Sequence, residues 1–175
     1  MLEGVTAINQ VGIVDETEYS KMSVRLEISH TTEIDVWIKE RHYLRSVPCG
    51  ARVRMIFKNR EQRIIGAMMW CRPVARKIDQ WKIVELARMY FVDDTPCFIE
   101  SHCLSLARKC IRKRLPEIKG LIAYSSTGQH HEGTIYEADG WFQLGTSVVK
   151  SASWETREGR TDRDLSDKIR WVRSP

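Results

Sequence analysis

Long apolar runs, secretory signals, paired cysteines and repeats are all missing from this 175-residue chain, and each absence removes a class of answer. No stretch approaches the ~20 apolar residues that a membrane span requires. The first residues lack the basic, apolar and small-residue order of a secretory signal. A cytoplasmic protein with no membrane partner is therefore expected. The five cysteines, Cys49, Cys71, Cys97, Cys103 and Cys110, are odd in number and contain no C-x-x-C pair. Neither a disulfide framework nor a zinc site is indicated. With 42% hydrophobic residues, one domain over residues 1–175 is expected, with a core of about 24–149 and a basic tail, 150–175.

Positive charge is what the chain has in excess: 28 Lys and Arg against 23 Asp and Glu. Arg108, Lys109, Arg112, Lys113 and Arg114 gather at the end of one predicted helix. Arg157, Arg160, Arg163, Lys168, Arg170 and Arg173 crowd the tail. Such patches suit a polyanionic partner. For the helix cluster, a solvated face with cations placed at a helix C-terminus explains the pattern equally well.

Hydrophobic periodicity orders the rest. Val24 to Ser29 alternates as a half-exposed strand, and Thr32 with Asp35 reads as the capped start of a helix ending near His42-Tyr43. Val53 to Phe57 and Ile64 to Trp70 form a hairpin across a charged turn. A basic loop, Cys71 to Gln80, precedes the strand Ile83 to Val92. From Ile99 to Arg114 the apolar residues recur at helical spacing, stopped by Pro116 and Gly120. The run Ile169 to Val172 reads as a final edge strand. The expected class is mixed α/β, with a largely antiparallel sheet flanked by helices.

The most informative stretch is Gly120 to Gly145, GLIAYSSTGQHHEGTIYEADGWFQLG. A buried strand breaks into a polar loop of hydroxyls, an amide and two histidines. A short helix carrying Tyr136 follows, stopped at Asp139-Gly140 before an aromatic strand from Trp141 to Leu144. Strand, reactive loop, helix with a tyrosine and glycine stop suit an acyltransferase site.

That order resembles the GNAT acyltransferase superfamily. The resemblance implies that Glu85 to Val92 is the central strand, and that the helix beginning near Ile99 to Ser101 holds the pyrophosphate of coenzyme A on its N-terminal amides. It assigns an acyl-CoA to Met89, Phe91, Ser101, His102 and Tyr136, with Tyr136 protonating the departing thiolate. Asp94 to His102 contains no glycine, however, although glycine normally lets backbone approach phosphate closely. Together with His42-Tyr43, Glu85-Leu86-Ala87-Arg88, Glu100-Ser101 and the Tyr124 to Trp141 block, this looks like the phage Mom DNA-modification family, over roughly Lys39 to Gly145. The resemblance implies a phage or prophage enzyme acting in the host cell. It would convert adenine N6 in double-stranded DNA to a carbamoylmethyl (acetamido) adduct that protects against restriction. Acetyl-CoA or a related acyl-CoA is the implied donor, and an iron ion is associated with the chemistry. Two other readings stay open: a general GNAT N-acyltransferase on a small amine or protein, and an inactive GNAT-like nucleic-acid-binding protein.

Individual residues divide between chemistry and structure. Tyr136 is the leading proton donor, or an ordinary core tyrosine. Arg88 interrupts an apolar strand, so it meets substrate or cofactor, or makes an inward salt bridge with Glu85 or Glu100. Ser101 binds an anion or caps its helix. His42 is a base, a metal ligand or a helix-end cap. His131 contacts substrate, while neighbouring His130 is exposed. Ser126 stands where the family usually has aspartate, and a hydroxyl supplies no negative charge; Glu132 is an alternative acid. His42, His131 and Glu132 are scattered, so their spacing alone implies no metal site. For DNA, the loop with Arg72, Arg76 and Lys77 ranks first as the gripping element, followed by Arg157, Arg160 and Arg163. Trp81, Trp141 or Tyr43 would stack on an extruded base.

Overall fold

The computed structural model describes residues 11–13, 23–129, 132–147 and 166–175. Eight strands form one sheet in the order β1-β2-β3-β4-β5-β6-β8-β7. They are β1 (Val11–Ile13), β2 (Arg25–Ser29), β3 (Val53–Lys58), β4 (Ile64–Cys71), β5 (Ile83–Phe91), β6 (Gly120–Ser126), β7 (Phe142–Ser147) and β8 (Lys168–Arg173). Among the described residues three α-helices accompany them: α1 (Glu33–Arg41), α2 (Ile99–Arg114) and α3 (Thr134–Ala138). Only β5 and β6 run parallel, so the sheet is largely antiparallel, as the alternation of apolar residues predicts.

The expected hairpin is β3–β4. Asn59 closes its turn by accepting the Gln62 amide on its carbonyl and the Arg63 amide on its side chain, with Gln62 at φ 63°. The apolar stripe of α2 buries Ile99, Cys103, Leu104, Ala107, Cys110 and Ile111 against one face of the sheet. On the other face, Ile34 and Ile38 of α1 pack on Ile56, Ala67 and Met69. Both faces of the central strands are thus covered, which accounts for their unbroken apolar runs.

Three expectations change. Thr32 precedes α1 but makes no side-chain capping bond; the Asp35 carboxylate instead takes both arms of Arg54, at 2.6 and 2.9 Å. β1, too short to stand out in the sequence, adds an outer strand beside β2. Ile169 to Val172 is not an edge strand. It lies within β8, inserted between β6 and β7, and the edge is β7. Trp171 explains the insertion: its side chain is 1% exposed and needs neighbours on both sides.

The feature that positions the site is a seam. The β5–β6 ladder runs from Ile83–Gly120 to Leu86–Ala123 and stops there, while β5 continues to Phe91 and β6 to Ser126. Ala87 marks the break: Leu86 pairs with Trp70 and Arg88 with Met69, leaving Ala87 as an extra residue in a bulge.

Candidate active site

Tyr136 reaches the seam from the α2–α3 side. Its ring is 6% exposed, stacked on Trp171 (5.7 Å between centroids) and edge-on to Trp141 (5.4 Å). Among the described residues nothing bonds its hydroxyl. Burial, and secondarily the nearby Tyr43 hydroxyl, push the phenol's pKa up, so it stays protonated.

The Asp-Gly-Trp segment after it is the brace. Asp139 accepts both arms of Arg108, at 2.7 and 2.8 Å, and the Trp141 indole at 2.8 Å; both charged partners are under 10% exposed. Gly133 opens α3 at φ +89°, where a Cβ would lie 2.1 Å from the Trp171 ring. Arg108 therefore leaves the basic cluster that the sequence suggested. Arg112, bonded to the Pro175 carbonyl, is also engaged.

From the α1 side come His42, Tyr43 and Arg88. His42 ends α1, is 8% exposed, accepts the Leu44 amide on Nδ1 and stacks on Tyr43 at 4.5 Å. Arg88 projects from just beyond the bulge. Its Nε donates to the Ser46 carbonyl (2.8 Å), Nη2 to the Ser46 hydroxyl (3.0 Å) and Nη1 to the Ala87 carbonyl (2.7 Å). A planar fork held this way has a set direction, which a lysine would not reproduce.

Glu85, on the same face of β5, was read only as a partner for Arg88. Instead it accepts the Val74 amide at 3.0 Å and is 9% exposed. Burial raises its pKa, against the Val74 bond, Lys168 and Arg88, which lower it. Burial and Glu85 together push the neighbouring Cys71 thiol up to about 11, leaving it inert. The signal for Glu85 was available: a carboxylate within an apolar strand is as costly as Arg88.

Ser126 is 3% exposed and its hydroxyl lies 2.6 Å from that of Ser166. It supplies no charge here. His131 and the tail residues Arg157, Arg160 and Arg163 lie outside the described residues. Among the described residues no group of three His, Cys, Asp or Glu side chains could hold a metal, so the donors for iron are not assembled there.

For an acyl-CoA, the seam suits an extended acyl-bearing arm, because past Leu86 β5 no longer pairs with β6. The phosphate end is less well provided. Phe98 precedes α2 at φ 67° and 72% exposed, in place of a glycine. Its carbonyl accepts both the Ser101 hydroxyl and the His102 amide at 3.0 Å, so Ser101 bonds back into its own turn and is not the cap. With the Ile99 amide on Pro96, the amides of Glu100 and Ser101 are what this terminus offers an anion. His102 Nε2 is buried without a hydrogen-bond partner, and burial, then Lys109, lower the imidazole's pKa. Met89 is partly buried against the core beside the seam. Phe91 fills the core, its ring against Phe57 (5.4 Å) and over Gly66, so only its backbone is placed to meet a cofactor.

Arg72, Arg76 and Lys77 are exposed on the loop between β4 and β5, and Arg72 lies 4.5 Å over the Trp81 ring. This loop enters β5 at its paired end, opposite the open end of the seam. Trp81 is 65% exposed, whereas Trp141 is core.

Known proteins bear on this geometry. The Mom protein family model matches residues 16–174. No curated protein matches the sequence. Among solved structures, a provisionally assigned phosphinothricin N-acetyltransferase superposes with TM-score 0.57 at 13% identity, covering 87% of this chain and 98% of that one. Mutant forms of the spermidine/spermine N-acetyltransferase SpeG of Vibrio cholerae give 0.56 at 10% identity, covering 86% and 94%. Spermidine N-acetyltransferase of the same organism, solved with CoA and spermine, gives 0.50 at 13%, covering 70% and 64%. At these identities the likeness shows the fold: a GNAT acetyltransferase-like mixed α/β sheet.

Proposed function

The chain belongs to the Mom protein family, and from that premise we propose that it is a transferase modifying adenine N6 in DNA, with an acyl-CoA as donor. The observation that carries the reading is the nearness of the buried Tyr136 phenol to Tyr43, which stacks on His42, with Arg88 held by Ser46 on the strand beside the seam. Attack of N6 on the carbonyl of an acyl thioester forms the new N–C bond, breaks the C–S bond and releases the N6 proton and coenzyme A thiolate, leaving an N6-acyl adenine. The protonated phenol of Tyr136 donates to the group that departs. Arg88, aimed by Ser46, steadies oxygen that gains negative charge. Tyr43, 43% exposed and stacked on His42, offers a face to an extruded base, which an enzyme acting on a paired adenine must obtain.

A polyamine or other cationic acceptor is the weaker alternative. It would approach Arg88, Lys168 and Arg170, all of its own sign. An inactive DNA-binding protein is favoured only by Ser126. Mass analysis of nucleosides from DNA in cells expressing the protein tests all three. A peak for adenine carrying an added group on N6 supports the proposal; unmodified DNA with acetylated small amines would replace it with the second reading.

A further inference from the structure

The two faces of the half-sheet β6-β8-β7 differ in cover. α2 and α3 pack on one of them, through Leu121, Ala123 and Trp171. On the other, α1 packs against β3, β4 and β5, and among the described residues no helix extends over β6, β8 and β7. The register sets three rows of side chains on that face, Ile122–Val172–Phe142, then Tyr124–Arg170–Gly145, then Ser126–Lys168–Ser147; Ile122 and Ser126 are buried, and the rows become accessible toward β8 and β7. The first row is apolar and ends in Phe142, 72% exposed, with Leu144 beside it at 60%. The second and third rows carry the cations.

A groove of about 380 Å³ opens along the first row, floored by Ile83 and Ile122 and lined by Ile78 of the β4–β5 loop. Lys119, Arg170 and Arg173 line it, and no acidic side chain does. Asp167, exposed just before β8, and buried Glu85, which lies near Lys168 and Tyr124, are the adjacent acids. The Arg170 Nε is buried with no hydrogen-bond partner, while its guanidinium also bonds the Tyr124 side chain; Arg173, in register with Leu121, turns to the α2–α3 side and donates to the Gly140 carbonyl. Partly exposed Arg170 and Lys168 beside exposed Phe142 and Leu144 set cations next to apolar surface, a combination that suits an anion with flat apolar parts.

We infer that this open face binds an unpaired nucleic-acid strand, with a base stacked on Phe142 and the backbone phosphates on Arg170 and Lys168. The chemistry is that of sheet faces that bind single strands: aromatic platforms tolerant of any base, interleaved with cations that follow the backbone. The rows lead from the exposed loop with Arg72 and Trp81 toward the end of β6 that borders the seam. A strand lying on them would present a neighbouring nucleotide to the site. The inference rests on the proposed DNA substrate for its partner class, but its test does not use modification.

The test is fluorescence anisotropy of a labelled thymidine strand of about ten nucleotides, titrated with the full chain. Phe142→Ala, an exposed position whose loss spares the core, is expected to weaken binding about tenfold. Lys168→Gln is expected to lower the slope of log affinity against log salt by about 0.7. Affinity unchanged in Phe142→Ala, or a salt slope unchanged in Lys168→Gln, would overturn the inference. So would equal competition by polyglutamate, which would assign the face to acidic protein. Nucleoside mass analysis judges the proposed function separately: unmodified DNA with these affinities confirmed would sink that reading and leave this site standing.

Discussion

On the face of β6 and β8 that meets α2 and α3, Trp171 stacks on Tyr136 and donates its indole to Ser125 at 2.9 Å, and Arg108 is locked to Asp139. On the opposite face of the same strands, Tyr124 and Arg170 pair in register beside exposed Phe142, and the Arg170 Nε has no partner. Both faces hold aromatic rings and arginines. One uses Arg108, Asp139 and the Trp141 and Trp171 indoles as a closed brace, bonded within the protein. The other leaves Phe142 and Leu144 exposed beside its cations. Residue type alone does not separate the two faces; burial of the rings and close pairing of the charges do.

The sharpest way to break this comparison is to remove the brace. Asp139→Ala leaves Arg108 buried without its carboxylate and the Trp141 indole without an acceptor. The expected loss is about 3–5 kcal/mol by urea denaturation, the usual cost of stranding one partner of a buried pair. The exposed Arg63–Asp94 pair is the control, with side chains 57% and 59% exposed. Asp94→Ala should change stability by less than about 1 kcal/mol. Similar losses at the two positions would mean that the Arg108 pair is no brace.

Tyr136→Phe comes next, because it keeps the closed face and removes only what reaches the seam. Modified-adenine yield should fall roughly a hundredfold, the scale of a lost general acid. The melting temperature should hardly move, since no described residue bonds that hydroxyl. Arg88→Lys should likewise abolish modification at near-normal stability, because the fork bonded to Ser46 is what a lysine lacks. A parallel loss of stability in either variant would return that residue to the packing.

These contrasts also separate what was legible in the sequence from what was not. The α2 stripe, the β3–β4 hairpin and the Tyr136-to-Trp141 block were readable because close packing imposes spacing on them. Arg108 was misplaced among surface cations, although it stands four residues after Leu104 and three before Ile111, on the buried stripe. The position of β8 was hidden because strand order depends on pairings between residues far apart in the chain. The open face was hidden for a related reason. Alternation along Tyr124 and Arg170 shows that two faces exist, but not which of them the helices will leave uncovered. Arg88 and Tyr136 were found because each breaks or completes a local pattern; Glu85, equally out of place, was absorbed into the account of Arg88.

Glu85 gives the smallest expected effect and a test of sign. It lies at the border between the covered and open halves of the sheet, with Cys71 on β4, Arg88 on β5, Tyr124 on β6 and Lys168 on β8 around it. Burial raises its pKa more than the Val74 amide, Lys168 and Arg88 lower it. The folded protein therefore holds this proton to a higher pH than the unfolded chain, whose glutamate titrates near 4.3. Stability from this group is present below that value and is lost as pH rises through the folded pKa, the reverse of an ion-paired carboxylate. Gln at this position still accepts the Val74 amide and has no proton to lose. Urea midpoints of the wild type and Glu85→Gln, measured across a pH series, should diverge in favour of the variant as pH rises, then run parallel. Divergence in favour of the wild type would mean that Lys168 and Arg88 outweigh burial, and that Glu85 is held as an ion in a cationic pocket.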